Sequence, residues 1–306
     1  MGFSITSNYA GDHAGQYIGA ALRSAKTLEN VTVLENVKYK RNITKVATAS
    51  LIKDATCDFT DAGTITLTER VLNPKELQIN VDLCKKDVLA DWQVTQTSAG
   101  AHNRGLGDDF AAFIMAHLAG TISDWVEQVI WTGNDSDPGS VTGWMTAGGV
   151  GTIDADTAVV EADNSGGAGT AHSATNIDEN LGLLMASVPI TVYGKEDLYI
   201  YMGSAAYRLY LENQANAGYQ QLYSMNDAFV PMYNGTKIAM CPGFPANKMV
   251  AAQKSNMFFG TDLLSDTTEI RMLDMGALDG SDNLRVVAKF TAGVQHGQGG
   301  DIVRQD

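Results

Sequence analysis

Polar and apolar residues alternate with a two-residue period along residues 44–53 and again along 64–72, with the turn-forming residues Asp58, Asp61 and Gly63 between them. That period marks a half-buried strand, and two such strands around a turn predict a long β-hairpin. Its apolar side is thin, supplied by Val46, Leu51, Ile65 and Leu67. A lone two-stranded ribbon is marginal in water, because ordering each residue costs about 1–2 kcal/mol of backbone entropy that only burial offsets. The ribbon therefore needs a surface to lie on. Its apolar face is too sparse to be part of the chain's own core, so a second copy of the chain is the expected provider.

Beyond Pro74, which cannot sit inside a strand ladder, the alternation becomes faultless: Leu77, Ile79, Val81 and Leu83 on one face, Glu76, Gln78, Asn80 and Asp82 on the other. The period then changes. From 108 to 131, Phe110, Phe113, Ile114, Leu118, Ile122, Trp125, Val126, Val129 and Ile130 recur at three- and four-residue steps, predicting a helix roughly 35 Å long. Asp108 and Asp109 suit its N-terminal dipole, and Gly133 with Asn134 provides the stop. A helix of that length is a beam across a whole domain.

The flanking regions are plainer. Residues 1–36 are polar and rich in Gly and Ala, with one short helix expected at 15–26, where Ile18 and Leu22 share a face; this is an arm, not a core. Residues 134–173 carry Gly148, Gly149, Gly151, Gly166, Gly167 and Gly169 and are expected to be loose, with short strands at 150–153 and 158–160. A second lobe follows: a helix at 176–187, a strand at 198–202, a helix at 205–213 capped by Ser204, and strands at 237–240 and 249–252. A closing strand at 284–290 precedes a glycine-rich tail. There is no internal repeat and no coiled-coil heptad.

Composition narrows the class. The chain has 306 residues, 44% hydrophobic and 18% charged, which excludes disorder and leaves room for one large domain or two lobes. Neither a signal peptide nor a span of about 20 apolar residues is seen, so a cytosolic origin is expected. Cys57, Cys84 and Cys241 form no CxxC pair, and reduced thiols are the expectation. The formal charge of −14 disfavours direct nucleic-acid binding, which depends on clustered Lys and Arg. Only Lys38, Lys40, Arg41 and Lys45 cluster locally, and they are expected to be a solvated approach to the hairpin.

No motif announces catalysis: HExxH, GxSxG, GxxxxGK[ST] and paired CxxC are absent. His13, His102, His117, His172 and His296 are scattered singly, and no metal or cofactor site is assigned. Residues 134–139 have the composition of a calcium loop, but Pro138 fills a ligand position and Met145 stands where the bidentate Glu belongs, so a solvated turn is expected. Gly166, Gly167 and Gly169 lack the feeding strand and following helix of a phosphate cradle.

The order of parts, arm, hairpin, beam helix, strand-rich segment, helix and strand lobe and returning strand, resembles the major capsid proteins of tailed bacteriophages, the Hong Kong 97-like fold. The resemblance covers nearly the whole chain. Residues 69–87, from Glu69 through Pro74 to Asp87, are similar to the strand that descends from the family's extended loop; 108–133 to its spine helix; and 256–266 with 284–293 to its closing strands. It implies an α+β fold with an N-terminal arm (1–41), an extended β-hairpin loop (42–83), a peripheral domain with the spine helix at about 108–131 (84–175), an axial domain (176–262) and returning peripheral strands (263–306).

The implied function is that of a non-enzymatic shell protein. It would form pentamers and hexamers that close into an icosahedral virion capsid around double-stranded DNA, assembled in the bacterial cytoplasm without membrane contact. Portal, scaffolding and decoration proteins are the implied partners. The hairpin would lie across a neighbouring subunit, and 214–233 would be the axial loop. The first strands come within about 45 residues, so any scaffolding is expected to be a separate chain. Some members weld subunits by Lys to Asn isopeptide bonds, for which Lys53 and Asn283 are the nearest candidates here. Three alternatives stay open: an encapsulin-type compartment shell, a tail or baseplate protein, and an α/β enzyme using carboxylates such as Asp178 or Asp227.

Overall fold

The computed structural model describes residues 26–49, 51–55, 57, 62–84, 108–149, 151–167, 169–218, 231–262, 271–277, 280, 281 and 283–306. The expected arm helix at 15–26, apart from Lys26, and most of the expected axial loop at 214–233 lie outside them.

One five-stranded sheet is organised by β12 (Asn283–His296), which pairs antiparallel with β4 (Lys75–Cys84) along residues 283–292 and with β10 (Met257–Gly260) along 293–296. β11 (Arg271–Asp274) lies on its other side, and β1 (Thr32–Leu34) runs parallel to β10. The alternation does what period two requires: Leu284, Val286, Ala288, Phe290 and Ala292 are buried, opposite Leu77, Ile79 and Val81 of β4, while Arg285 and Lys289 are exposed.

β12 is twice the length expected from sequence, because a glycine inside it is not a breaker. Gly293 is paired with Gly260; a Cβ on Gly293 would lie 2.8 Å from Pro74 Cα, and one on Gly260 would lie 2.6 Å from Leu72 Cδ2. The two glycines open the sheet for residues 72–74 to cross it. Nor is the tail loose. It makes a 3-10 turn, Gly299–Asp301, and then β13 (Val303–Gln305) in the second sheet.

The beam is α2 (Asp108–Thr132), preceded in the described chain by the single turn α1 (Lys26–Glu29). Ile122, Val126 and Ile130 are buried on its stripe, and Trp125 meets Phe290 edge-on at 5.5 Å. The side chains of Phe110, Phe113 and Ile114 lie outside the described set. Trp131, which the stripe omitted, is wholly buried among Trp144 (5.0 Å), Phe244 (4.5 Å) and Tyr201 (5.7 Å). Gly133 ends the helix by close approach: a Cβ there would stand 2.4 Å from the Val141 carbonyl.

The second sheet has the order β5 (Val160–Glu161), β13, β9 (Met249–Gln253), β6 (Leu198–Met202), β8 (Thr236–Met240), β7 (Met232–Tyr233). It is covered on both faces, so its central strands read as continuous apolar runs. Leu198, Ile200, Met202, Met249 and Ala251 pack under α3 (Ile177–Ala186) and α4 (Ser204–Asn216); Tyr201, Val250 and Ala252 face the core around α2.

Two expectations need correction. Residues 151–153 are turns, not a strand, and the described residues of 134–159 are largely tight turns around the buried Ile153, whose N–H donates to the Trp144 carbonyl at 2.8 Å. Ser204 is inside α4; its N-cap is Gly203, where a Cβ would stand 2.9 Å from the Phe244 carbonyl. Strand pairing links distant parts of the chain: β4 pairs with β12, and β13 sits between β5 and β9 of the second sheet.

Candidate assembly surface

The hairpin is a sheet of its own. Among the described residues β2 (Arg41–Ala49) pairs only with β3 (Thr64–Leu72), beginning three residues before the expected arm and ending four before it. Cross-strand partners share a face, so the register sorts the side chains. One face carries Asn42/Val71, Thr44/Glu69, Val46/Leu67 and Thr48/Ile65; the other carries Arg41/Leu72, Ile43/Arg70, Lys45/Thr68 and Ala47/Thr66. Every residue of the first face is exposed, with Val46 at 59%, Ile65 at 62%, Leu67 at 66% and Val71 at 44%. On the second face Ile43, Lys45, Ala47 and Arg70 are half-buried and Leu72 is fully buried. Apolar side chains thus gather on the side turned away from the subunit's own body. Covering them would contribute roughly 1 kcal/mol or more each.

The ribbon's root is fastened by polar contacts from distant segments. Arg70 forms an ion pair with Asp156, whose Oδ2 also lies 3.0 Å from His296 Nε2, and Asp156 Oδ1 accepts the Ala158 N–H at 3.0 Å. Gln295 donates from its side chain to the Val71 carbonyl at 3.1 Å. Burial pushes the Asp156 carboxyl up, but the His296 hydrogen bond, the Ala158 N–H and the Arg70 charge outweigh it and hold the group below its usual range. His296 is completely buried, which lowers its affinity for a proton, and its Nδ1 has no hydrogen-bond partner among the described residues.

A second polar node fixes where the N-terminal segment enters the body. Buried Glu127 on α2 accepts the Thr27 N–H at 3.1 Å and the Thr27 hydroxyl, which in turn accepts the Trp131 indole N–H at 3.0 Å. Burial raises the Glu127 carboxyl above its ordinary value despite these donors and the Gly243 N–H. Gly243 can be nothing larger, since its Cβ would stand 2.0 Å from the Glu127 carbonyl. Sequence reasoning found neither node, because the partners lie 86, 100 and 140 residues apart.

The residues singled out for chemistry are dispersed. His172 is buried against Asn180 (Nδ1 to Nδ2, 3.0 Å), whereas His13 and His102, and the side chain of His117, lie outside the described residues. Asp178 is exposed, and Asp227 lies outside the described residues. At 134–139 the structure places a turn in which Asn134 Oδ1 accepts the Ser136 N–H at 3.0 Å, with Asp135 paired to Lys75 at 2.9 Å. Cys57 is exposed on the ribbon side and Cys241 is buried, which pushes its thiol up. Lys53 is exposed beyond β2, and Asn283, half-buried, opens β12 opposite Cys84. Lys38, Lys40 and Arg41 are exposed as expected. Elsewhere Ile190 at 93% and Tyr193 at 51% project from the turn between α3 and β6.

This arrangement, a body of two sheets joined by one helix with an outlying ribbon, has close parallels in shape. It is similar to the capsid of an empty GTA particle, with a TM-score of 0.59 at 14% identity over 92% of this chain and 89% of that one. It is also similar to a chain of the satellite phage P4 procapsid that includes the size determination (Sid) protein (TM-score 0.55, 12% identity, 95% and 98% covered) and to Gordonia phage Cozz (0.57, 10%, 92% and 86%). No family model and no curated protein matches the sequence. The fold is the mixed α+β fold of phage major capsid proteins. At these identities the likeness is one of fold.

Proposed function

We propose that the chain is the structural shell protein of a tailed bacteriophage capsid, with the Hong Kong 97-like plan, assembling as pentamers and hexamers into an icosahedral container for double-stranded DNA. The observation that carries this is the ribbon, whose large apolar side chains Val46, Ile65, Leu67 and Val71 are exposed among the described residues in a chain with a capsid fold. A protomer that offers a ribbon on one side and receives one on another makes a heterologous contact, and such contacts close into rings when the rotation allows. One ribbon's burial is small beside the 4–15 kcal/mol or so that association costs, so stability must come from repetition around a ring. The charge of −14 suits a wall that confines DNA without gripping it. No catalytic role is proposed; portal and scaffolding chains are the expected partners.

Negative-stain microscopy of the purified chain, alone and with those partners, tests this. Capsomer rings or closed shells are the expected result, and particles filled with DNA distinguish a virion from a compartment that encloses protein cargo. A chain that remains monomeric at high concentration with all partners present overturns it.

A further inference from the structure

We infer that His296 is a proton-operated catch for the ribbon: a second proton on its ring displaces Arg70 from Asp156 and frees the ribbon's root, while both sheets stay folded. The inference needs only the single chain and stands whether or not copies assemble. Two root residues of β3 are reached from His296. Its Nε2 lies 3.0 Å from Asp156 Oδ2, the oxygen that also pairs with Arg70, and its backbone N–H donates at 3.0 Å to the Gln295 side chain, which in turn holds the Val71 carbonyl at 3.1 Å. An ionised Asp156 only accepts, so the neutral ring carries its hydrogen on Nε2 and leaves Nδ1 as a bare acceptor. That nitrogen is buried and has no hydrogen-bond partner among the described residues.

A second proton enters at Nδ1 and makes a buried imidazolium beside the Arg70 guanidinium, two cations on one carboxylate oxygen. Burial decides which of them leaves. The His296 side chain is 0% exposed and fixed at the end of β12, whereas that of Arg70 is 28% exposed and can reach water. The surrounding elements supply little to compensate. β10 sets the apolar Met257 opposite His296, and Lys254 is drawn away to the Glu29 carbonyl at 2.7 Å. Asp154, two residues before Asp156, is engaged by Arg304 and Lys248, and the turn that brings Gly299 against Asp156 carries one further charge, the half-buried Asp301. The electrostatics run the same way: burial lowers the proton affinity of His296 most, the Asp156 hydrogen bond opposes it, and the Arg70 charge lowers it further. Proton and Arg70 therefore compete, so acid drives Arg70 out and a displaced Arg70 tightens the hold on the proton.

Hydrogen exchange of the full, unassembled chain reads the catch, with each rate divided by the intrinsic rate at the same pH. Protection across 64–72 should fall about five-fold or more from about pH 7.5 to about pH 5 while protection across β6 stays within about two-fold; one-proton linkage allows about ten-fold per pH unit at most. His296→Gln keeps a side-chain donor and cannot titrate, so its protection across 64–72 should be flat over that range. Should this buried substitution impair folding, Arg70→Gln serves in its place, opening the root at every pH, with low protection from the start and no further fall. A fall that survives either substitution overturns the catch, as does an Arg70→Gln chain as well protected as the parent. A parent chain whose 64–72 protection is flat, or falls only in step with β6, overturns it equally. A chain that shows the fall but never assembles overturns the shell function and leaves the catch standing.

Discussion

Asp156 is the residue on which the ribbon's attitude depends. It joins Arg70 of β3, His296 at the end of β12 and the Ala158 N–H, so Asp156→Asn should cost about 2 kcal/mol in urea unfolding and raise hydrogen exchange across 64–72 more than across β6. Unchanged exchange at 64–72 would mean the root is held by Leu72 alone. The same node sets an acid response. His296 has a folded proton affinity below its ordinary value of 6.5, so the unfolded chain binds the extra proton and stability falls as pH drops from there toward the folded value. Asp156, held below 3.8, adds a further loss at lower pH. Glu127 acts with the opposite sign: raised above 4.5, it makes the native state the better proton binder, so stability declines as pH rises through that window, and Glu127→Gln should flatten the decline. A double-mutant cycle of Thr27→Val with Glu127→Gln should return a coupling of about 1 kcal/mol or more; additivity would remove the contact from the account. None of this was legible beforehand, since a carboxylate's partners a hundred residues away leave no periodic trace.

At the scale of elements, the periodic features were legible and the exceptions were made by close approach. The helix at 108–132 and the strand at 75–84 follow from their three-to-four and two-residue patterns almost to the residue. β12 did not, because Gly293 reads as a breaker until Pro74 is placed against it, and Trp131 was missed because it faces Trp144 and Phe244 from beyond the stripe that meets β12. Trp131→Ala should cost about 3–5 kcal/mol, measured by urea unfolding. The ribbon was legible as an element and as an unsatisfied one, but which face lay bare required the register. Leu67→Asn, at an exposed position, should change stability by no more than about 0.5 kcal/mol while sharply reducing assembly, a split that a core residue cannot produce. If Leu67→Asn unfolds the isolated subunit, the ribbon belongs to its own core.

At the scale of the whole molecule, charge segregation becomes a property of the assembly. Copies at −14 repel one another at long range, whereas the exposed Lys38 and Lys40 would attract an acidic neighbour at contact, and the two respond differently to screening, whose length is about 10 Å at 0.1 M salt. Lys38→Glu combined with Lys40→Glu, both exposed ahead of β2, should therefore impair assembly severely at low salt and progressively less as salt rises, read by sedimentation velocity. A defect independent of salt would assign those lysines a steric role. The buried carboxylate Glu127 and the largely buried Asp156 fasten segments far apart in the chain. The decisive measurement compares the full chain with one lacking residues 54–63 by negative-stain microscopy and sedimentation at equal concentration. The account predicts closed shells or rings for the first, and a folded, cooperatively melting subunit that forms neither for the second. Normal particles from the shortened chain would contradict it.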